Sequence, residues 1–224
     1  MSTINESLSN NVAIVWTSDL NDFEKSIIAA VNECCGVLPG FRFYIIGANH
    51  ITASLYTDAD TVIQKAVHMN KRHGWIPDPF TTVANLAKVI RSEVPERYDL
   101  IIAFTRSGID HSDLHSSMYE YYRDRAGIIS LDLCQTAHEY ESTAALMLEH
   151  VLGHALRHDG LLFHCQNETC AMNSLESENT IRNLIKNKGS KPNLNIFCEK
   201  CQASFHSSSL WRDQPSVVAY VYTT

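Results

Sequence analysis

The predicted fold and function of this chain depend mainly on residues 150–172, which read HVLGHALRHDGLLFHCQNETCAM. Three histidines recur at intervals of four, and a fourth follows a glycine and directly precedes a cysteine. Histidine and cysteine side chains are the usual ligands of zinc in proteins. The stretch therefore predicts a metal-binding helix and a turn that brings further ligands back toward it.

Four of the seven cysteines are spaced as two close pairs. Four residues separate Cys165 from Cys170, and two residues separate Cys198 from Cys201. A tight turn with such spacing presents two sulfurs to one ion, and structural zinc sites are commonly built from two such pairs. We predict a structural Zn²⁺ at these four cysteines, where it would hold a segment that has little apolar core of its own.

The helical histidines offer a second metal site. Among His150, His154 and His158, neighbours in the series share one helix face. A rise of roughly 12 Å separates the first from the third, so all three do not reach one ion. Gly160 permits the chain to turn back, and His164 follows four residues later. Two helical histidines with His164 would form a three-histidine zinc site with an open fourth position. Surface or half-buried histidines without a metal are the alternative.

Upstream of these residues, apolar runs alternate with helical patterns. The strand and helix patterns of residues 12–47 predict a βαβ unit with parallel strands. Other predicted strands are residues 50–56, 98–105 and 126–133, the last at a sheet edge, and other predicted helices are residues 61–69 and 81–94.

A long helix is predicted to begin at Thr136, because Thr136 and Glu139 fit a capping box. A further helix is expected near residues 176–186, followed by a loop. The predicted fold class is α/β, with a mixed sheet, a long metal-binding helix and a loop-rich C-terminal part held by zinc. We expect one domain over residues 1–224, made of an α/β part (1–135) and a metal-binding part (136–224).

Composition limits the partners. The formal net charge of -7 disfavours nucleic acid and anionic membranes. No apolar run is long enough to span a bilayer, and the polar N-terminus does not read as a signal peptide. A cytoplasmic protein is therefore expected, in which Cys34, Cys35 and Cys134 are small buried side chains rather than half-cystines.

The features from residue 130 to residue 201 resemble the archaemetzincins, a family of zinc metallopeptidases. The family motif runs His-Glu-x-x-His-x-x-Gly-x-x-His-Cys-x4-Cys-x-Met-x17-Cys-x-x-Cys. Residues 164–172 match its middle without a gap, and residues 198–201 match its end. Counting back from His164 without a gap places the first two histidines at His154 and His158.

A second register of the motif uses His150 and His154 and needs four extra residues before His164. We take the ungapped register as the prediction and keep the second one open. The resemblance implies a metzincin-like fold in which His154, His158 and His164 hold a zinc. It also implies that Met172 lies beneath this zinc in a methionine turn, and that the four cysteines hold a second zinc.

One departure from the family concerns the chemistry. The glutamate of the motif is replaced by Ala155 in the ungapped register and by Val151 in the other. That glutamate is the general base which takes a proton from zinc-bound water. Glu149 and Asp159 are poor candidates to replace it, so no catalytic residue is assigned.

Two further departures concern the shape of the chain. The motif's glycine falls on Leu161, with Gly160 one position early, so the turn that brings His164 back differs. Between Met172 and Cys198 lie 25 residues, against 17 in the family, so this chain has an insertion there.

The sequence thus predicts a zinc-binding metallopeptidase homologue that has lost efficient catalysis and binds a peptide or a protein. One alternative is an active zinc hydrolase with an unusual base. Another is a zinc-ribbon interaction module attached to an α/β domain. The substrate and the oligomeric state are left open.

Overall fold

The computed structural model describes residues 10–47, 75–76, 98–106, 108–111, 116–118, 120–123, 126–156, 164–175, 177–189, 196–208 and 214–220. The strands are β1 (Asn10–Trp16), β2 (Phe41–Ile45), β3 (Trp75–Ile76), β4 (Leu100–Thr105), β5 (Gly108–His111), β6 (Ser116–Met118), β7 (Glu120–Arg123), β8 (Ala126–Ser130) and β9 (Val217–Tyr220). The helices are α1 (Glu24–Val37), which follows a 3₁₀ turn (Ser18–Phe23), α2 (Ala137–Leu156), α3 (Glu178–Gly189) and α4 (Glu199–His206).

The main sheet has six strands in the order β7-β8-β4-β1-β2-β9. Its strands run parallel except β7, which pairs antiparallel with β8. The predicted βαβ unit is confirmed, because β1 and β2 flank α1 and pair in parallel with Val12 opposite Phe43. A second sheet has the order β3-β5-β6. The mixed α/β class predicted from the sequence is therefore confirmed.

The continuous apolar run of β4 is explained by its place in the sheet. All six of its residues are buried, and it lies between β1 and β8. Parallel strands covered on both faces carry such unbroken apolar runs.

Helix α2 begins with the predicted capping box. The amide of Glu139 donates to Thr136 Oγ1 at 3.3 Å, and the amide of Thr136 donates to Glu139 Oε2 at 3.1 Å. The helix is buried on all sides over most of its length, since every residue from 143 to 154 is buried. Near its start it packs beside α1 and the preceding 3₁₀ turn, whose last residue, Phe23, stacks its ring on that of Tyr140 with centroids 3.7 Å apart.

Three details differ from the sequence-based predictions. Strand β8 is not an edge strand, because the short β7, which was not predicted, pairs outside it. The C-terminal part is less loop-rich than expected, since α4 begins at Glu199 and β9 pairs with β2 in the main sheet. The predicted elements at 50–56, 61–69 and 81–94 lie outside the described residues.

The cysteines outside the two close pairs behave largely as predicted. Cys34 and Cys134 are buried, and Cys35 is half-buried. Among the helices that the structure describes, none has the length and apolar character needed to cross a membrane.

Candidate metal centres

The four paired cysteines meet at one point. Their sulfur atoms all lie within 4.8 Å of one another. Cys165 Sγ is 3.6 Å from Cys198 Sγ, and Cys170 Sγ is 3.7 Å from Cys201 Sγ. A tetrahedral zinc with zinc–sulfur bonds of about 2.3 Å has edges of about 3.8 Å between sulfurs. This cysteine group, Cys165, Cys170, Cys198 and Cys201, therefore fits zinc with little rearrangement.

Backbone amides point at sulfurs of the cysteine group. The amide of Asn167 donates to Cys165 Sγ at 3.4 Å, and the amide of Cys198 donates to Cys170 Sγ at 3.3 Å. Such donors favour a thiolate over a thiol. Burial raises the pKa of Cys170 to about 11. For Cys198 burial also acts upward, but hydrogen bonds from the Cys201 amide and the neighbouring thiols outweigh it and lower its pKa to about 7.

Three histidines form a second cluster, the histidine group, which consists of His150, His154 and His164. Each offers one ring nitrogen, and these nitrogens lie within 4.8 Å of one another. The Nε2 atoms of His150 and His154 are 2.8 Å apart, as expected for imidazoles one helical turn apart on α2. The ring of His164 lies with its centroid 5.4 Å from each of the other two.

A backbone carbonyl fixes the orientation of His150. Its Nδ1 lies 2.5 Å from the carbonyl oxygen of Ala171. A carbonyl oxygen only accepts, so Nδ1 carries the proton and the Nε2 lone pair points into the histidine group. Histidines that bind metals typically donate their other ring N–H in this way, which fixes tautomer and ring orientation.

Two of the three histidines of the ungapped register, His154 and His164, belong to this group. Its third member is His150, which is the member required by the second register. His158 lies outside the described residues. Periodicity alone did not choose between His150 and His158, because each is four residues from His154 in sequence.

Met172 packs against α2 beside the histidine group. Its side chain is fully buried, and a Cβ placed on Gly153 would overlap its Sδ atom. Gly153 lies between His150 and His154 in the chain. A glycine at this position therefore lets the methionine approach the backbone of the helix between two of the three histidines.

No aspartate or glutamate in the described residues joins the histidine group. Val151, which follows His150, is fully buried, and Ala155 is half-buried. Glu149 is also unsuited to act as a base at this site, because its Oε1 accepts a hydrogen bond from Lys188 Nζ at 2.7 Å. Asp159 lies outside the described residues.

Glu149 belongs to a buried ion cluster that sequence reasoning missed. Lys188 Nζ contacts Glu149 Oε1 at 2.7 Å and Glu33 Oε1 at 3.1 Å, so one ammonium joins α1, α2 and α3. Lys188 is only 7% exposed although it lies in the last turn of a mainly polar helix. Burial raises the pKa of Glu149 to about 7. Burial alone would lower the pKa of Lys188, but its attraction to Glu149 and Glu33 raises it overall.

Replacing Lys188 with methionine is expected to destabilise the fold by about 3–5 kcal/mol, because it leaves the carboxylate of Glu149 buried without a counter-charge. Glu149 is fully buried, and its Oε2 already has no hydrogen-bond partner among the described residues. Urea unfolding followed by circular dichroism measures the loss.

The matched control is the double variant Glu149→Gln/Lys188→Met, which removes both charges and should recover much of the lost stability. Lys186→Met, at an exposed position of the same helix, should change stability by less than about 0.5 kcal/mol. A loss below 1 kcal/mol for Lys188→Met, equal to that of the double variant, would contradict the assignment of a buried charge pair.

Solved structures that match this chain include two proteins. Archaemetzincin (amzA) from Methanopyrus kandleri superposes with a TM-score of 0.57 and 14% sequence identity, over 91% of this chain and 97% of that one. A zinc-dependent peptidase from Methanocorpusculum labreanum gives a TM-score of 0.46 and 13% identity, over 87% of this chain and 99% of that one. Compared by sequence, the chain matches neither a protein-family model nor a curated protein.

The first of these similarities establishes the fold. The chain has the fold of an archaemetzincin, as the motif from residue 130 to residue 201 implied. At 14% identity the similarity does not extend to the activity, which has to be argued from the residues of this chain.

Proposed function

We propose that this chain is a zinc-binding metallopeptidase homologue that has lost efficient peptide hydrolysis. It binds one zinc at His150, His154 and His164 and a second, structural zinc at the cysteine group. The observation that carries the proposal is the convergence of three imidazoles on one point, with no carboxylate beside them in the part of the chain that the structure describes.

The donor chemistry supports zinc at the histidine group. Three protein nitrogens and an open fourth position form the ligand set of catalytic zinc sites, whereas structural sites have four protein ligands. His150 and His154 are buried and His164 is half-buried, so the set is held largely inside the fold. The hydrogen bond from His150 Nδ1 to the Ala171 carbonyl fixes the tautomer and the orientation of this ring, as is usual for histidines that bind metals.

The residue after the first helical histidine supports the loss of hydrolysis. In a His-Glu-x-x-His helix this position holds the general base, and in the helix that carries His150 and His154 it holds Val151. A valine neither accepts nor delivers a proton. Loss of a positioned base typically costs about 10²–10⁴-fold in rate.

What remains is a metal with an open position, which is suited to binding. We propose a peptide or protein partner, because a Lewis-acidic zinc accepts an oxygen or nitrogen donor from a ligand without cleaving it. The net charge of -7 disfavours nucleic acid as the partner. A reducing compartment such as the cytoplasm is proposed for the same chain, because the cysteine group binds zinc only as thiolates.

The test is the zinc content per chain, measured by elemental analysis of the wild type and of a His154→Ala/His164→Ala variant. The expected result is two zinc ions in the wild type and one in the variant. The variant His138→Ala/His206→Ala, which replaces two exposed histidines outside both groups, is the control and should keep two.

One zinc in both the wild type and the His154→Ala/His164→Ala variant would overturn the histidine site and favour the zinc-ribbon interaction module. Two zinc ions together with peptide hydrolysis that disappears in the same variant would overturn the loss of catalysis. It would favour an active hydrolase with an unusual base.

A further inference from the structure

The two proposed metal groups are not separate in the chain. His164 belongs to the histidine group and Cys165, the next residue, belongs to the cysteine group. A single peptide bond therefore joins ligands of two different ions. The planar peptide unit fixes the distance between the two Cα atoms, so a displacement of the backbone at one ligand displaces the backbone at the other.

A second link crosses from the cysteine group to α2. Cys170 is a member of the cysteine group, and the carbonyl of the next residue, Ala171, holds His150 Nδ1. Met172 follows and packs against Gly153. Three consecutive residues thus supply a proposed zinc ligand, the carbonyl that orients a histidine, and the methionine that contacts the helix between two histidines.

The segment from Cys170 to Met172 is held by short backbone hydrogen bonds. The amide of Cys165 donates to the carbonyl of Met172 at 2.6 Å. This hydrogen bond joins the pair His164–Cys165 to the segment Cys170–Met172. The amide of Ala171 donates to the carbonyl of Ile196 at 2.9 Å, and Ile196 lies two residues before Cys198. Ala171 and Met172 are fully buried, so the segment has little room to adjust on its own.

From these contacts we infer that the two metal groups are thermodynamically coupled through Cys170–Met172, with the Ala171 carbonyl as the positioning group for His150. Filling one group raises the metal affinity of the other. The inference rests on the proposed function, because it requires a metal at both groups. It adds a role for the cysteine group beyond stability, namely control of the affinity of the histidine group.

The physical reason is that each ion orders the same backbone. A zinc at the cysteine group fixes Cys165 and Cys170, and hence the positions of His164 and of the Ala171 carbonyl. The second ion then finds its ligands already oriented. Coupling between sites is reciprocal and typically corresponds to a factor of about 5–150 in affinity. Removing the group that hydrogen-bonds a metal ligand typically lowers the metal affinity by a similar factor of about 10–100.

The first measurement uses the reciprocity of this coupling. The zinc affinity of the cysteine group is compared in the wild type and in His154→Ala from the rate at which isotopically labelled zinc replaces its bound ion, at a free zinc concentration that keeps the histidine group of the wild type filled. The variant loses a ligand of the histidine group and leaves residues 164–172 unchanged. The expected result is an affinity of the cysteine group about 5–150-fold weaker in the variant.

Two controls separate coupling from general weakening. His138→Ala replaces an exposed histidine of the same helix, and Leu148→Ala opens a cavity in its buried face without changing either group. Both should keep the affinity of the wild type within about threefold. If Leu148→Ala weakens zinc binding as much as His154→Ala does, the effect is instability of α2 and the proposal is overturned.

The second measurement uses the wild type alone and does not depend on the folding of a variant. Hydrogen exchange at the amides of Cys165 and Ala171 is compared with one and with two zinc ions bound per chain. The first equivalent should fill the four thiolates, since four protein ligands bind more tightly than three. The expected result is slower exchange of both amides when the second ion binds.

The outcomes distinguish this inference from the function on which it rests. A wild type that binds only one zinc overturns the proposed function and the coupling together. The coupling alone is overturned if the wild type binds two zinc ions, the cysteine group has equal affinity in the wild type and in His154→Ala, and amide exchange is unchanged by the second ion. Weaker binding in His154→Ala with normal controls, or slower exchange with the second ion, supports it.

Discussion

Replacing Cys201 with serine should remove several kcal/mol from the free energy of unfolding. Structural zinc contributes about 10–16 kcal/mol of apparent binding free energy in small zinc domains, and this energy is also folding energy. A typical domain is stable by only about 5–15 kcal/mol. Losing even a third of the zinc contribution therefore consumes a large part of the stability, and the variant is expected to be largely unfolded at moderate temperature.

The loss should begin in the residues that zinc holds together. Cys201 is fully buried, and Phe205 on the same short helix packs edge-on against Phe197 with ring centroids 4.8 Å apart. Helix α4 spans only Glu199–His206, and helices of this length are not stable on their own. Without the fourth thiolate, Phe205, whose ring lies beside Gly153 of α2, would have to hold α4 against α2 without the metal.

Urea unfolding followed by circular dichroism, with the zinc content measured on the same samples, checks this prediction. Cys35→Ser is the matched control, because Cys35 is half-buried on α1 and lies outside the cysteine group. It should keep the full zinc content and change stability by no more than about 1 kcal/mol. A Cys201→Ser variant with wild-type stability and zinc content would contradict a structural zinc at these cysteines.

The cysteine group was predictable from the sequence because most of its geometry is local. Cys165 and Cys170 lie on one turn, and Cys198 and Cys201 lie at the start of one helix, so only the meeting of two pairs depends on the fold. The capping box at Thr136 and Glu139 is local in the same sense. The strand and helix patterns that predicted the βαβ unit extend over some 35 residues. A pattern of this length identifies its elements even without knowledge of their tertiary contacts.

The spacing of histidines in the sequence does not determine which of them form the histidine group. The residue that completes it with His154 and His164 is decided by where the chain returns after α2. On its return, Met172 packs against Gly153 of α2 and the Ala171 carbonyl accepts a hydrogen bond from His150 Nδ1, and these are contacts between residues distant in sequence. A match counted without gaps placed His158 in the set; the described residues bring His150 together with His154 and His164, and His158 lies outside them.

Burial of charge was the other feature that sequence reasoning missed. Glu149 interrupts the apolar pattern of α2 and Lys188 is in the last turn of a mainly polar helix, so each alone is typical of a surface. Only the packing of α3 against α2 brings them to 2.7 Å. The short strands β7 and β9 were missed for a related reason, since each has only four residues and their pairing depends on partners distant in sequence.

Replacing Val151 with glutamate is expected to raise peptide hydrolysis by about 10²–10⁴-fold over the wild type, because it returns a general base to the position after His150. Val151 is fully buried, so a carboxylate there is costly unless a cation lies beside it. A zinc at the histidine group provides that cation. The stability of the variant should therefore fall more on chelation than that of Val151→Gln, which has the same size without the charge.

Cleavage of a labelled, unfolded protein substrate measures the activity, and Val151→Gln and Ala155→Glu are the controls. Neither should gain activity, because the first lacks a base and the second places the base one turn away, where only the ungapped register would use it. Activity in Ala155→Glu instead would assign the zinc to His154, His158 and His164. If Val151→Glu binds two zinc ions but hydrolyses nothing, the missing base is not the only defect, and the surroundings of the histidine group also lack the geometry for attack on a peptide. The three variants test separately whether only the base is missing, which register of histidines binds the zinc, and whether the surroundings of the zinc allow attack on a peptide. Together they decide whether this chain can regain peptidase activity or can only bind metal.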